Sequence, residues 1–335
     1  MSGLVVAGAW LLYDRWGRQF DTRAFTRSFV SLDWRWLALA TAAALATYWG
    51  RALRWAVMLR PLRPRPSLWG LFSATAVGFA SVVLIGRPAE VVRPYLIATR
   101  ERVPFTSQLG AWVLERIADL LTILLVFGFA LSQLGAGRPG IGPGLAWVLT
   151  AGGYVAGAMV AVLVLLLVLL GRSPATVCRR LLDALGFLPE RYLRRIGGML
   201  AAFMDGAGAL RNRGSVAWFV GYTALEWVLI TLCTLALVRA YPEMPRLGWV
   251  DILVFMGMVS FGSLLQVPGI GGGVQVATVA VLREIHGVPI ELASSVALMM
   301  WAITFVVIVP IGLPLALHEG LTWRRIRQLG AETSL

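Results

Sequence analysis

Three charged residues, Arg87, Glu90 and Arg93, follow directly on twenty uncharged ones, Ser67 to Gly86, in the stretch "GRPAEVVRPY". Charges at the lip of a segment long enough to cross a bilayer are expensive, so they pair or face a cavity that handles an ion or polar group. An arginine fork suits a phosphate, and a carboxylate between two arginines can hold them apart until an anion arrives. A headgroup-level turn with a structural ion pair is the alternative, and both readings stand at this level. Glu115, Arg116 and Asp119 follow in "ERIAD". The two acids are four apart and share a helix face, roughly 15 Å into the next span. They can neutralise Arg87 or Arg93, line the same cavity, or simply fix helix packing.

Two further places draw notice. Glu226 lies near the middle of an apolar run with no other charge until Arg239. A lone buried carboxylate needs a partner or a proton, which makes it a charge-relay candidate. The stretch "QVPGIGGGVQ" places Gly271, Gly272, Gly273 and Gln275 in the centre of the uncharged run Ile252 to Leu282. Backbone N–H groups at such a helix start suit an anionic group, and a hinge without ligand is the plain alternative. Arg51 and Arg54, three apart near the end of a span, read as interfacial anchors whose heads snorkel to the headgroups. No Ser/His/Asp set, metal-ligand cluster or paired catalytic acid is visible. No catalytic residue, metal or cofactor is therefore assigned.

The elements that must position these residues are membrane helices. Of 335 residues, 58% are hydrophobic and only 14% charged, and several uncharged runs exceed the length of a helical span. A barrel would show short alternating segments instead. All 30 basic residues are arginines, the net charge is +13, and most arginines flank apolar runs. That pattern orients a chain in a membrane and meets anionic headgroups, and it argues against a nucleic-acid partner. Cys178 and Cys233 are too far apart in sequence to suggest a disulfide framework or a zinc site. The start, Leu4 to Leu12, lacks a basic n-region, so no cleaved signal peptide is expected.

Full spans are expected at about 34–59, 105–131, 145–171, 215–238 and 290–317. Residues 172–213 carry eight arginines and read as amphipathic helices at the cytoplasmic surface. If 67–86 were an ordinary span, the basic loops on its two sides would fall on opposite faces of the membrane. A re-entrant pair, broken around Gly86 to Pro88, removes the conflict. The run Ile252 to Leu282 reads likewise as re-entrant from the other side, because Pro268 and the glycines disfavour a continuous helix. The expectation is an all-α polytopic bundle forming one transmembrane domain over residues 1–335. Two half-repeats, about 34–131 and 215–317, have opposite orientation and are joined by the span at 145–171. This topology makes the C-terminus cytoplasmic. It leaves Arg15, Arg18, Arg23, Arg27 and Arg35 on the outside, unless the N-terminal segment lies along an interface.

The motifs "GRPAEVVRPYL", "VLERIADLL" and "PGIGGGVQ", the last followed by "GVPIELASSVALMMW", occur in that order. They resemble the family named for the transmembrane region of lysylphosphatidylglycerol synthetases, also called flippase-like, over about 34–320. The resemblance implies a protein of the bacterial inner membrane whose ligand is an anionic phospholipid or a lipid-linked polar headgroup, moved between leaflets. It also admits a non-catalytic partner of a lipid-synthesising enzyme, or a membrane-embedded lipid-modifying transferase. The chain resembles members with the membrane domain alone. Arg87, Glu90, Arg93, Glu115, Arg116 and Asp119 match motif positions and carry the implied binding role. Ala89 stands where the family usually has glycine. Gln275 stands where it commonly has glutamate, which removes a charge from the second break. No ATP-binding motif is present, so movement is expected to run downhill or on an ion or proton gradient.

Overall fold

The computed structural model describes residues 20–135, 150–151, 153–161, 183, 189–194, 196–198, 213–263, 266–267, 269 and 271–318. Its helices are α1 (Thr22–Val30), α2 (Trp34–Leu59), α3 (Leu68–Ile85), α4 (Val92–Glu101), α5 (Phe105–Gly135), α6 (Arg213–Arg239), α7 (Trp249–Gly262), α8 (Gly273–His286), α9 (Ile290–Thr304) and α10 (Val309–His318). Short 3-10 turns, Arg87–Val91 and Val306–Ile308, precede α4 and α10. Most of the expected span at 145–171 and of the arginine-rich segment 172–213 lies outside the described residues; 153–161 is helical.

Leu68–Ile85, Gly214–Arg239 and Ile290–His318 are long and apolar enough to cross a membrane, and α1 with α2 meets the same test as a bent pair. Helix α5 runs for 31 residues, roughly 46 Å, with its charged triplet inside an apolar sequence. The chain is thus an all-α, multi-pass membrane protein. Helix α1 meets α2 at 81°. It packs against α9, where the Asp21 amide donates to Glu291 Oε1 at 3.1 Å. Arg23 and Arg27 therefore lie on a helix that runs across the direction of α2.

The break after α3 is dictated by Gly86, whose φ of 99° disfavours any side chain, and by Pro88 in the turn that follows. Helix α4 then folds back along α3. A Cβ on Gly78 would lie 2.7 Å from that of Arg93, and Glu101 reaches the start of α3 to accept from the Ser67 amide at 3.0 Å. The hairpin thus begins and ends at one level. A second hairpin, α7 and α8, closes around Ser263–Gly272. There Gln266–Val267 and Gly271–Gly272 form a two-residue antiparallel ladder, with Gly269, Gly271 and Gly272 all at positive φ. The helices meet so closely beyond it that a Cβ on Gly262 would sit 2.5 Å from the Gly273 carbonyl oxygen.

The two breaks touch. The Gly269 amide donates to the Val83 carbonyl at 2.8 Å, and Arg87 Nη2 donates to the Ser263 carbonyl at 2.6 Å. The Val83 and Ser263 carbonyls, at the ends of interrupted helices, are thereby satisfied by protein, as an apolar surrounding requires.

The span expected at 290–317 is present, but its helix is interrupted by a short 3-10 turn. Pro310 has no amide to offer Val306, and the chain tightens into Val306–Ile308 before α10 resumes. The Thr304 carbonyl left over at the bend accepts from Tyr48 Oη at 2.9 Å. The bend moves the chain from one core to another. The first core joins α3, α4 and the C-terminal part of α2 with Ile308 and Ala316. The second joins α6 to α9 with Ala40, Ala43 and Ala44 of α2. Small residues along α2 let α6 approach closely, the usual device where the surrounding solvent is itself apolar. Gly312 serves α10 in the same way, since a Cβ there would lie 2.4 Å from the Ala76 carbonyl oxygen. Gly312→Leu should push α10 off α3 and destabilise the detergent-solubilised protein by about 1–3 kcal/mol. A thermal unfolding curve that overlays the wild type would contradict this packing.

Candidate functional site

The site is built around Arg54, whose side chain is 0% exposed. Its Nη2 donates to Glu115 Oε1 at 2.7 Å and lies 3.2 Å from Glu226 Oε2, while its Nη1 donates to Asp119 Oδ1 at 2.7 Å. Nη1 also reaches Thr223 Oγ1 at 3.3 Å. Thr223 gives its own proton to the Phe219 carbonyl, which leaves the hydroxyl oxygen free to accept. One guanidinium thus joins α2, α5 and α6.

The carboxylates around Arg54 hold further arginines in turn. Glu115, also 0% exposed, accepts from Arg93 on α4. Arg51 Nη2 lies 2.5 Å from Glu226 Oε1, and Arg116 Nη2 lies 3.0 Å from Asp119 Oδ2. Phe79 of α3 stands between two of these cations, 4.9 Å from the Arg51 guanidinium carbon and 5.5 Å from that of Arg93. Its π faces offset part of the repulsion that like charges would feel in so dry a place. Arg87, on the first break, pairs with Glu90 at 2.5 Å.

Two adjoining cavities open beside this network. The smaller, about 170 Å³, is lined by Arg51, Phe79, Arg87, Glu90, Arg93, Trp112 and Arg116, among others. The larger, about 520 Å³, shares Arg51, Phe79, Arg87, Arg116, Ser263 and Phe305 with it and adds Asp119. The rest of its wall is mostly apolar, with Leu120, Ile123, Ile230, Val259, Phe261 and Met300. Together they form one chamber with a cationic end and a greasy end. Among the described residues, Arg51 Nη1, Arg54 Nε, Arg87 Nε and Arg116 Nε are buried nitrogens with no hydrogen-bond partner, and all but Arg54 belong to side chains that line the chamber. Such orphaned donors are rare in a finished interior and are suited to an acceptor-rich ligand.

The sequence-derived candidates divide accordingly. Arg87, Glu90, Arg93, Arg116 and Asp119 line the chamber. Glu115 sits behind the wall, holding Arg93 and Arg54. The partner that Glu226 needs is Arg51, with Arg54 beside it. Gly271, Gly272, Gly273 and Gln275 are not among the residues lining either cavity. The Gly272 amide is taken by Gln275 Oε1 at 2.6 Å, so this glutamine caps α8.

Arg51 and Arg54 correct the expectation of snorkelling anchors. Arg54 is wholly buried, and Arg51 is held by a buried carboxylate. A signal was available in the sequence. Arg60, Arg63 and Arg65 follow at the end of α2 and are exposed, so the anchoring role was already filled.

Fold and site define a polytopic helical membrane protein with a charged chamber between two broken helical hairpins. The chain belongs to the family described as Lysylphosphatidylglycerol synthase TM region, which matches residues 1–312 and places it in a membrane lipid context. A curated relative, the glycosyltransferase AglD of Haloferax volcanii, is 28% identical over 269 residues, covering 73% of this chain and 42% of that protein. The chain therefore spans less than half the length of this relative. No solved structure matches it.

Arg54→Ala would strand Glu115, Asp119 and Glu226 without their common cation, and is expected to cost about 3–5 kcal/mol of stability. Arg87→Ala, at a side chain 34% exposed that holds one carboxylate and one backbone carbonyl, should cost less, about 1–2 kcal/mol. Thermal unfolding of both variants in one detergent checks the contrast, and equal effects would contradict it.

Proposed function

We propose that this protein binds a lipid with an anionic or lipid-linked polar headgroup in the chamber and moves it between leaflets of the bacterial inner membrane. The observation that carries the reading is the pairing of a cationic end, with unpartnered guanidinium nitrogens of Arg51, Arg87 and Arg116, with an apolar end large enough for part of an acyl or prenyl chain. A phosphate oxygen satisfies those nitrogens, and the greasy wall accepts hydrocarbon that would otherwise have to stay in the bilayer.

The two hairpins supply the moving part. They are tied to each other by two hydrogen bonds to backbone carbonyls, Gly269 to Val83 and Arg87 to Ser263. Arg87 belongs both to this tie and to the chamber wall. A headgroup that draws the Arg87 side chain toward itself competes with Ser263 for the same donor, so binding loosens the contact between the breaks. In an inverted repeat, that contact is where access changes from one face to the other. The order of helix, hairpin and helix in 34–135 and again in 213–318 supports such a repeat. The Arg51–Glu226 pair, next to the wall, is the candidate for coupling to a proton.

A second reading makes the chain the membrane partner of a lipid-modifying enzyme. It is favoured by the relative named a glycosyltransferase, of which this chain matches only 42%. Reconstitution separates the two. In liposomes holding the purified chain alone, a labelled anionic lipid should exchange between leaflets. Arg87→Ala and Arg116→Ala should each slow that exchange by roughly tenfold or more, the worth of a lost charge-assisted hydrogen bond. Exchange unaffected by both substitutions would overturn the site, and none even with wild type would favour the partner reading.

A further inference from the structure

The charges around the chamber do not cancel. Among the described residues, five guanidiniums, Arg87 and Arg93 among them, face four carboxylates, and every one of those carboxylates already lies within salt-bridge distance of at least one of them. One positive charge remains. Arg54 is enclosed by three of the carboxylates, so the surplus is felt at the wall, which Arg51, Arg87 and Arg116 line. In a chamber whose other walls are apolar, a residual charge is poorly solvated, and the best occupant is one that brings the total to zero.

Resting on the proposed function, we propose that the chamber selects a headgroup bearing a single negative charge, a phosphodiester, over a doubly charged phosphomonoester, and that Glu90 sets this limit. A phosphodiester neutralises the surplus. A phosphomonoester or diphosphate brings at least one charge too many and leaves the chamber anionic. Glu90 is the determinant because it is the carboxylate of the smaller cavity and, among the described residues, has a salt bridge to Arg87 alone. Glu115 and Glu226 each serve two or more arginines and are walled off behind the lining. Removing the charge of Glu90 frees Arg87 and raises the surplus to two, which a dianion matches.

The experiment is displacement of a fluorescent phosphatidylglycerol from the full chain in phosphatidylcholine nanodiscs, by phosphatidylglycerol and by phosphatidic acid. At roughly pH 8.5 the phosphomonoester carries about two negative charges. Wild type should prefer phosphatidylglycerol by roughly tenfold or more. Glu90→Gln should erase or invert that preference, and the double substitution Arg87→Gln with Glu90→Gln, which restores the original total, should bring it back at lower affinity. If Glu90→Gln does not fold, Glu90→Ala tests the same loss of charge, and Glu226→Gln, behind the lining, should leave the preference for phosphatidylglycerol in place. Equal or tighter binding of phosphatidic acid by wild type would overturn the proposal, as would a preference that ignores the charge of a folded Glu90 variant. Absence of binding by either lipid would overturn the lipid reading itself. Displacement by soluble glycerophosphoglycerol as strong as by the lipid would also sink translocation, while leaving the charge rule intact.

Discussion

Everything in this fold is arranged around a guanidinium that cannot reach water. Arg54 sits in the centre of the molecule, and removing so strongly hydrated a charge from solvent is affordable only where several acceptors converge on it. Three carboxylates and a hydroxyl do so, from α5 and α6. Those carboxylates are themselves buried or nearly so, and each requires more positive charge than Arg54 alone supplies. Arg51, Arg93 and Arg116 are drawn in for that reason. The network fixes the relative positions of α2, α4, α5 and α6 in a way that apolar contacts between membrane helices do not, since lipid competes on nearly equal terms with a leucine. It also explains why the chamber wall is cationic: the outermost members of the network, Arg51, Arg87, Arg93 and Arg116, are arginines that line it.

The second constraint is the backbone. A helix interrupted in an apolar surrounding leaves amides and carbonyls that only protein or cavity water can satisfy. Among the described residues, four such groups are answered by the opposite break or by a side chain. Val83 and Ser263 give carbonyls to Gly269 and Arg87, the Thr304 carbonyl takes the Tyr48 hydroxyl, and Gln275 closes over Gly272. The breaks are thus both the least regular parts of the chain and among its most closely joined. Arg87 is where these two constraints meet, with one nitrogen on Glu90, one on the opposite break and a side chain that lines the chamber.

Much of this was legible from residue order. The breaks were marked by Gly86 with Pro88 and by Pro268 with its glycines, because those residues fail as helix interiors for local reasons. The charged candidates on α4 and α5 were equally visible, since an acid or arginine inside an apolar run must find a partner. What the chain did not disclose was which partner. Arg54 looked like an anchor because its distance along α2 suggested the membrane boundary, and only the packing of α5 and α6 against that turn shows three acids aimed at it. The bend before α10 was missed for a similar reason. Pro310 stands in a run so apolar that length masked it, and the bend is stabilised by Tyr48, more than 250 residues earlier. Gln275 was read as a site residue from its place after the glycines; what residue order did not disclose is that its carbonyl oxygen accepts from the Gly272 amide and caps α8. Long-range pairing of this kind leaves no local pattern.

The central claim is that the cationic end of the chamber is a phosphate site and its apolar end a hydrocarbon site. A density map of the protein in nanodiscs containing an anionic phospholipid tests it most directly. The account predicts a phosphate within hydrogen-bonding reach of Arg51, Arg87 and Arg116, with a tail running past Ile123, Ile230 and Phe261. Lipid phosphate found only at the exposed arginines after α2, with the chamber wall closed against itself, would contradict it.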